Sequence, residues 1–200
     1  IEIRMETESD WYEVERMTQR AFWNKFRPGC DEHYLVHKLR QHEDYLPELS
    51  RIAVKDGRII GCIMYTKSRV VDGDVTHEMI TFGPLCVDPD WQGRGVGELL
   101  IRHTMKIAAE KRYKGIIIFG EPDYYPRIGF KTNDHFSITT ADGKNFDAFM
   151  GIELFEGSMK GIKGKFHESE VFKYIPKEEV EAFNIKFPKL KKLNFPDQWD

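Results

Sequence analysis

The sequence predicts an α/β (α+β) protein with a mixed, mostly antiparallel central sheet that contains one parallel strand pair and carries helices on both faces. Three observations support this. β-rich runs succeed one another across short turns between residues 50 and 87, a glycine-rich loop and a helix come next, and a fully apolar run follows at Ile116 to Phe119. Because a helix joins the strand at Leu85 to Val87 to the strand at Ile116 to Phe119, we expect these two strands to run parallel through a right-handed crossover.

Length and charge limit the classes of protein that fit. A chain of 200 residues can bury a core as one domain, or as one domain with a small appendage. Its 30 basic and 33 acidic residues give a net charge of -3, so we expect no nucleic-acid partner. It has no apolar run of membrane-spanning length and no charged-then-apolar signal at its start, so we expect no membrane association. The first residue is Ile1 rather than methionine, which leaves open a leader before it.

The three cysteines indicate a reducing compartment. Cys30, Cys62 and Cys86 are odd in number and widely spaced, and the last two lie in apolar, strand-like runs. Buried free thiols fit this pattern better than a disulfide framework. We therefore predict a cytoplasmic protein.

Two helices are predicted near the start, after a strand at Ile1 to Met5. Ser9 or Asp10 can cap the first, which ends near Trp23, and Glu13 is placed to reach back to Asp10. Asp31 can cap the second, which runs to about Gln41.

The second helix carries His33 and His37, four residues apart, which is the spacing of two metal ligands on one helix face. No glutamate follows His33 in the H-E-x-x-H manner, and the sequence places no third ligand. We interpret both as packing or solvent-facing histidines and predict no metal site.

Turn signals divide the β-rich regions. Asp56-Gly57 joins strands at 50–55 and 59–71, and Asp72-Gly73-Asp74 leads into a strand at 75–87. Further along, 135–140 and 146–154 alternate in polarity and are predicted to form a closing hairpin around the turn at 141–144.

The stretch from Gly83 to Lys111 organises the chain. Its strand must stop at Asp88-Pro89, since proline has no amide to donate. The turn Gln92-Gly93-Arg94-Gly95-Val96-Gly97 then opens a helix that ends at Gly115. The helical spacing predicts an inward stripe of Val96, Leu99, Leu100, His103 and Ile107.

This loop has the character of an anion cradle. The first amides of a helix lack a carbonyl partner within it, and the helix dipole places partial positive charge beside them. Glycines at 93, 95 and 97 remove the Cβ atoms that would hold a ligand away. A phosphate or a pyrophosphate is the expected ligand.

Three known phosphate loops compete for this stretch. A P-loop is excluded because Glu98 and Leu99 follow Gly97 where lysine and a hydroxyl residue are needed. A dinucleotide-binding loop would read G-x-G-x-x-G, whereas this loop reads G-x-G-x-G; Glu121 nevertheless ends the next strand, so an oxidoreductase stays open as an alternative. The pattern Q/R-x-x-G-x-G/A fits every position from 92 to 97. A purely structural turn would not require this combination.

The sequence resembles the GCN5-related N-acetyltransferase (GNAT) superfamily at three places in the right order: the strand at 83–87, the loop at 92–97, and the segment Tyr125-Pro126-Arg127-Ile128-Gly129-Phe130. The resemblance implies the acyl-CoA N-acyltransferase fold, in which the parallel strand pair splays apart and acetyl-CoA is the co-substrate. It also implies that a homodimer is possible. The family's longer helix ahead of the tyrosine is replaced here by Glu121-Pro122, which resembles a largely uncharacterised prokaryotic-type subgroup with a G-E/D-P-x-Y-Y segment.

The resemblance also implies a set of site residues. The pyrophosphate would lie on the amides of the loop residues, and the pantetheine arm would pair with the backbone of the strand. The predicted cofactor-binding residues are Leu85, Cys86, Val87, Gln92, Gly93, Arg94, Gly95, Val96 and Gly97. The hydroxyl of Tyr125 would protonate the leaving thiolate, while Tyr124 would pack. Direct attack by the amine needs no covalent enzyme intermediate, so the Cys86 side chain is interpreted as packing.

The acceptor is predicted to be a primary amine on a small molecule or a peptide. It must lose a proton before it attacks, and Glu78 is the predicted base, with His77 second and a water relay as an alternative. The loop from Phe26 to Asp31 and the Tyr125 region are predicted to choose the acceptor. A CoA-binding regulatory module with little turnover is the competing function.

Domain limits follow from where the resemblance stops. We predict an acetyltransferase domain over residues 1–156 and a C-terminal extension over 157–200. The extension contains a short helix from Pro176 to Phe183 and then apolar residues, which we expect to pack on the domain or on a neighbouring subunit.

Overall fold

The computed structural model describes residues 1–199. This part of the chain contains four α-helices: α1 (Trp11–Phe22), α2 (Glu32–Leu39), α3 (Val96–Glu110) and α4 (Lys177–Asn184). Its strands are β1 (Glu2–Arg4), β2 (Arg51–Lys55), β3 (Arg58–Asp72), β4 (Val75–Val87), β5 (Gly115–Phe119), β6 (Lys131–Thr132), β7 (Ile138–Thr139), β8 (Phe149–Glu153) and β9 (Gly164–His167). No helix within residues 1–199 is both long enough and apolar enough to cross a membrane.

The predicted fold class is confirmed. Strand pairing is mostly antiparallel, and β4 pairs with β5 in parallel, with Ile80 opposite Ile116. The chain divides into two compact units, which are described separately. Unit 1 consists of 1–64, 84–100 and 170 onward, and unit 2 consists of 65–83 and 101–169.

Unit 1 contains β1, β2 and the first half of β3, paired antiparallel in that order. The hairpin between β2 and β3 turns at Asp56-Gly57, as predicted; both residues have positive φ. The register shifts after Ala53, which pairs with Gly61, whereas the next residue, Val54, pairs with Ile59. A buried cluster joins the helices to these strands through Val14, Met17, Leu35, Val36, Leu39, Ile52, Ile59, Cys62, Met64, Cys86 and Val171.

The start of α1 differs from the prediction. Asp10 precedes the helix but makes no side-chain cap, so the predicted Asp10–Glu13 capping box is wrong. The Asp10 carboxylate instead accepts hydrogen bonds from the Thr7 amide at 2.8 Å and from both terminal nitrogens of Arg4 at 2.8 and 3.0 Å. It therefore ties β1 to the turn ahead of α1.

The two histidines of α2 are packing residues, as predicted. His33 is fully buried, and its ring lies 5.6 Å from that of Phe183. His37 is half-buried beside Phe183 and Glu15. Within residues 1–199, no three His, Cys, Asp or Glu side chains are grouped so that they could hold a metal ion.

Unit 2 contains the second half of β3, most of β4, and then β5, β8 and β6, paired in that order. The predicted closing hairpin is wrong: β8 pairs with β5 and β6, whereas β7 pairs with β9. The latter pair is parallel, and β9 also pairs antiparallel with β3. β9 comes from the predicted extension. It packs Phe166 into a core with Val70, Met79, Ile117, Ile138, Phe149, Met159 and Ile162.

The inward stripe predicted for α3 is confirmed at Val96 and Leu100, which are both buried, but not at every position. Leu99 is 42% exposed and His103 is exposed, so both predictions are wrong, and Ile107 is half-buried. Besides Val96 and Leu100, the buried face contains Ile101, Thr104 and Ala108, which were not predicted. Thr104 and Ala108 are not strongly hydrophobic, so a hydrophobicity pattern does not identify them as buried.

The predicted helix stop at Gly115 is also wrong. α3 ends at Glu110, and Arg112 adopts the left-handed conformation with a φ of 66°. The Tyr113 amide donates to the Ala108 carbonyl at 3.0 Å, which is the closing bond of a Schellman motif. Gly115 begins β5, where a Cβ would overlap Met159 and come within 2.9 Å of Met79.

The C-terminal strap, residues 185–199, lies against the loop that follows α1. The Lys191 carbonyl accepts hydrogen bonds from the Trp23 indole at 2.9 Å and from the Asn24 side chain at 3.0 Å. The ring of Trp199 stacks on that of Phe26 at 4.4 Å. The loop predicted to choose the acceptor is thus held by the strap.

Candidate functional site

The predicted site residues lie in both units. The end of β4 and the glycine-rich loop, residues 85–97, belong to unit 1, whereas Glu78 and Tyr125 belong to unit 2.

In unit 1, the loop starts from a buried carboxylate that sequence reasoning missed. Asp88 is 1% exposed and follows directly after β4. It accepts hydrogen bonds from Arg20 at 2.8 Å, from Arg58 at 3.0 Å and from the Asp90 amide at 2.9 Å. Its own amide donates to the Ile60 carbonyl at 2.8 Å. The sequence showed only the strand stop at Asp88-Pro89, because both arginines are distant along the chain.

Gln92 and Arg94, which flank Gly93 and were predicted to bind the cofactor, contact residues nearby in the sequence. Gln92 donates from Nε2 to the Val87 carbonyl at 3.1 Å, which closes the turn between β4 and the loop. The guanidinium of Arg94 lies 5.0 Å from the centre of the Trp91 ring. Both side chains are exposed.

The glycines of the loop leave open space beside its backbone. Gly93 and Gly95 have φ angles of 75° and 82°, which glycine adopts at little cost. A Cβ at either residue would have no atom within 4 Å. These residues therefore fit a ligand that approaches the main chain closely.

The start of α3 places positive electrostatic potential beside the loop. The helix begins at Val96, and its first bond joins the Leu99 amide to the Gly95 carbonyl at 3.0 Å. The amides of residues 96 to 98 therefore come before the first amide that donates one turn back in the helix, and they lie at the positive end of its dipole. Such a helix end binds anions.

A glycine on β3 allows this helix end to pack closely. A Cβ on Gly61 would lie 3.0 Å from Leu100, 3.1 Å from Val96 and 3.3 Å from the Cys86 carbonyl. The absence of a side chain at Gly61 thus fixes the first turn of α3 against β3 and the end of β4.

Cys86 is a packing residue, as its place in an apolar strand predicted. Its sulfur lies 3.5 Å from the Thr18 hydroxyl and 3.6 Å from the Met17 sulfur. Burial raises the pKa of its thiol to about 12. At neutral pH it is therefore a thiol rather than a nucleophilic thiolate.

In unit 2, Tyr125 lies in an aromatic cluster. Its ring centre is 5.9 Å from that of Phe82, 5.5 Å from Phe130 and 5.0 Å from Tyr124. Burial is the main cause that raises the pKa of the phenol, with smaller contributions from Tyr124 and Glu121. Within residues 1–199 its hydroxyl makes no hydrogen bond. The hydroxyl of Tyr125 is therefore protonated at neutral pH and is not engaged in a hydrogen bond within residues 1–199.

Tyr124 packs at the edge of this cluster. It is half-buried, and the guanidinium of Arg127 lies 4.3 Å from its ring centre.

Glu78 and His77 lie on the part of β4 that belongs to unit 2. Glu78 is exposed and His77 is half-buried. Phe82 is the residue of β4 that contacts Tyr125. Glu78 is four residues before Phe82, so about 13 Å of strand separates the two. Within residues 1–199, Glu78 is in no hydrogen bond or ion pair with Tyr125.

Comparison with known proteins identifies the class of protein. The model of the acetyltransferase (GNAT) family matches residues 10–130, which is more than half of the chain. The chain therefore belongs to the GNAT family of acetyltransferases, whose members use acetyl-CoA as co-substrate. This confirms the resemblance found at residues 83–87, 92–97 and 125–130, and it decides against a dinucleotide-binding oxidoreductase.

Individual relatives agree with this family. The uncharacterized N-acetyltransferase YhbS of Escherichia coli K12 is 27% identical over 169 residues, which cover 83% of this chain and 96% of YhbS. The crystal structure of YhbS in complex with CoA has a TM-score of 0.76 at 24% identity, covering 88% of this chain and 93% of the other. A GNAT family acetyltransferase from Brucella melitensis in complex with acetyl-CoA has a TM-score of 0.68 at 24% identity, covering 86% and 97%.

Proposed function

We propose that the protein is an acetyl-CoA-dependent N-acetyltransferase that moves an acetyl group to a primary amine in a ternary complex. The observation that carries the proposal is the open glycine backbone at the start of α3, within the segment matched by the family model. Two neighbours of the same fold were solved with CoA and acetyl-CoA, which supports this ligand.

We assign co-substrate binding to two adjoining segments. The amides of residues 92–97 would hold the pyrophosphate, since donors and the positive end of the helix dipole adjoin the open space at Gly93 and Gly95. The backbone of Leu85, Cys86 and Val87 would pair with the pantetheine amides. When bound, acetyl-CoA supplies an activated thioester that an amine can attack directly. A backbone amide of this strand, such as that of Val87, would stabilise the oxyanion.

Tyr125 is the proposed proton donor to the leaving thiolate. Burial raises the pKa of its phenol, so the hydroxyl keeps its proton at neutral pH. The hydroxyl has no internal partner in the described residues and is therefore available to a substrate.

Glu78 is the proposed base for the acceptor amine. Its exposure means that the proton can pass quickly to solvent, but its separation from Phe82 favours relay through water over direct contact. His77 is the second candidate.

The acceptor, the oligomeric state, the location and the domain limits stay predictions. These are an acceptor amine on a small molecule or a peptide, a possible homodimer, a cytoplasmic location, and the division into residues 1–156 and 157–200. The three cysteines within residues 1–199 are buried free thiols, which supports the predicted reducing location.

The test is thiol release from acetyl-CoA with a panel of amines that includes spermidine, a lysine peptide and a peptide with a free N-terminus. Turnover with at least one amine is expected, and Tyr125→Phe should lower kcat by roughly a hundredfold while leaving acetyl-CoA affinity unchanged. An enzyme whose turnover is unaffected by Tyr125→Phe would refute the role of Tyr125. Tight acetyl-CoA binding without turnover would favour the regulatory module.

A further inference from the structure

Unit 1 contains a cavity that the proposed reaction does not use. Its volume is about 570 Å³, which is within the range of small-molecule sites. α1, the end of α4 and the C-terminal strap line it, and its apolar walls include Trp23, Phe187, Pro188 and Leu190. Ile185, at its edge, is 84% exposed. The cavity therefore offers an apolar surface of the size of a small ligand.

The two amide side chains that line the cavity, Gln19 and Asn184, have hydrogen-bond donors to spare. The Asn184 Oδ1 atom lies 2.5 Å from His33 Nε2, which orients the amide and leaves its Nδ2 group unused within residues 1–199. The Oε1 atom of Gln19 accepts from Arg16 at 2.7 Å, and its Nε2 group makes only a long contact of 3.4 Å with Asn184 Oδ1. Both amides thus present N–H groups and no free oxygen.

The charged residues that line the cavity are three lysines and one glutamate, so their net charge is positive. Glu181, its acidic residue, is paired with Lys192. Lys189 and Lys191 also line the cavity and have no acidic partner within residues 1–199. The site combines spare amide donors with a net positive charge, so a complementary ligand brings a negatively charged acceptor.

We propose that this cavity binds the anion of an aliphatic or aromatic carboxylic acid, independently of acetyl-CoA. The carboxylate accepts hydrogen bonds from Asn184 and Gln19 and is neutralised by Lys189 and Lys191. The hydrocarbon part lies against Trp23, Phe187 and Leu190. An inorganic anion would make no use of these apolar walls, and an amine would be repelled by the net positive charge of the lining.

A carboxylate bound in this cavity would contact both the strap and α1 and so hold them together. The carbonyl of Lys191, a cavity residue, already accepts the Trp23 indole N–H, so a ligand between them would add to an existing contact. Binding should therefore protect the strap from proteolysis.

The experiment is a calorimetric titration. Decanoate or 2-naphthoate is added to the full chain, which has first been saturated with CoA. Decanol, decylamine and inorganic phosphate serve as comparison ligands. The two carboxylates should bind at least about tenfold more tightly than any of the three, because charge-assisted hydrogen bonds need the anion and the apolar contacts need the hydrocarbon. Failure of both carboxylates to bind, or equal binding by decylamine or phosphate, would overturn the proposal.

Variants locate the site. Asn184→Asp keeps an oxygen for His33 but replaces the donor with a carboxylate, and it should weaken decanoate binding at least about tenfold. The double variant Lys189→Gln/Lys191→Gln should do the same, whereas Lys163→Gln/Lys165→Gln, with the same charge change on exposed residues of unit 2, should have no effect. Leu190→Trp, which fills the cavity, is a second route if Asn184→Asp fails to fold. Decanoate binding that survives both the double lysine variant and Leu190→Trp would refute the assignment.

Discussion

Gly120 lies so close to the ring of Tyr125 that a Cβ at position 120 would overlap the ring edge and come within 2.7 Å of Cδ2. The amide of Gly120 is fixed by a 2.8 Å hydrogen bond to the Ala148 carbonyl, so the backbone cannot easily move away. The glycine therefore determines where the proposed proton donor lies.

Gly120→Ala is expected to lower kcat at least tenfold with little change in acetyl-CoA affinity, because it displaces the Tyr125 hydroxyl without touching the loop at 92–97. Misplacement of a catalytic group by about 1 Å can cost about a hundredfold. Steady-state kinetics with separate kcat and KM values would measure this.

The matched control is Gly120→Ala in a Tyr125→Ala background. Overpacking should cost about 1–3 kcal/mol of unfolding free energy in the wild-type background. Once the ring is removed, the added methyl should cost almost nothing. An equal cost in both backgrounds would show that Gly120 serves another contact.

Asp88→Asn should destabilise unit 1, because it removes the charge that Arg20 and Arg58 share. The arginine side chains are 32% and 50% exposed and can regain water, so we expect a loss of about 2 kcal/mol. Acetyl-CoA affinity should fall as well, since the turn into the loop begins at Asp88. Urea unfolding and calorimetry would measure the two effects.

Asp90→Asn is the control for this variant. Asp90 pairs with the same two arginines but is 63% exposed, so its loss should cost less than about 1 kcal/mol. If both variants lower the free energy of unfolding by the same amount, the burial of Asp88 does not explain its contribution to stability.

The Arg4–Asp10 pair predicts a defined pH dependence. The hydrogen bonds from Arg4 lower the pKa of Asp10 to about 2. Because the folded pKa is below the ordinary value, the pair stabilises the fold fully above about pH 4 and loses this contribution as the pH falls through 2. With Arg4 34% exposed, Asp10→Asn should cost about 1 kcal/mol at pH 7 and about half of that at pH 3.

Urea unfolding at pH 7, 5 and 3 would test this. Glu13→Gln is the control: Glu13 makes no cap with Asp10, so this change should stay within about 0.5 kcal/mol at each pH. A cost for Asp10→Asn that does not change with pH would contradict the account.

Local signals in the sequence were enough for most elements. Asp56-Gly57 gave the first hairpin, Asp88-Pro89 gave the strand end, and the glycines after Gln92 gave the start of α3. These features depend on backbone conformations that particular residues favour, so neighbouring residues reveal them.

Features that depend on tertiary contact were missed. The buried face of α3 includes Thr104 and Ala108 whereas Leu99 is exposed, so tertiary packing and not hydrophobicity alone decides which residues are buried. The partner of β7 is β9, where Ile138 pairs with Gly164, and not β8, which is nearer in the sequence. The Arg20–Asp88 pair joins residues 68 positions apart, and no spacing rule predicts it.

The central claim is that open glycine backbone at the start of α3 binds the diphosphate of acetyl-CoA. Gly95 and Gly143 offer a matched comparison, since both have a φ of 82° and no atom within 4 Å of a Cβ. Alanine at either should cost about 1–2 kcal/mol of stability from the strained backbone. Calorimetric titration with acetyl-CoA should then show at least tenfold weaker binding for Gly95→Ala and wild-type binding for Gly143→Ala. Equal affinity in the two variants would contradict the account.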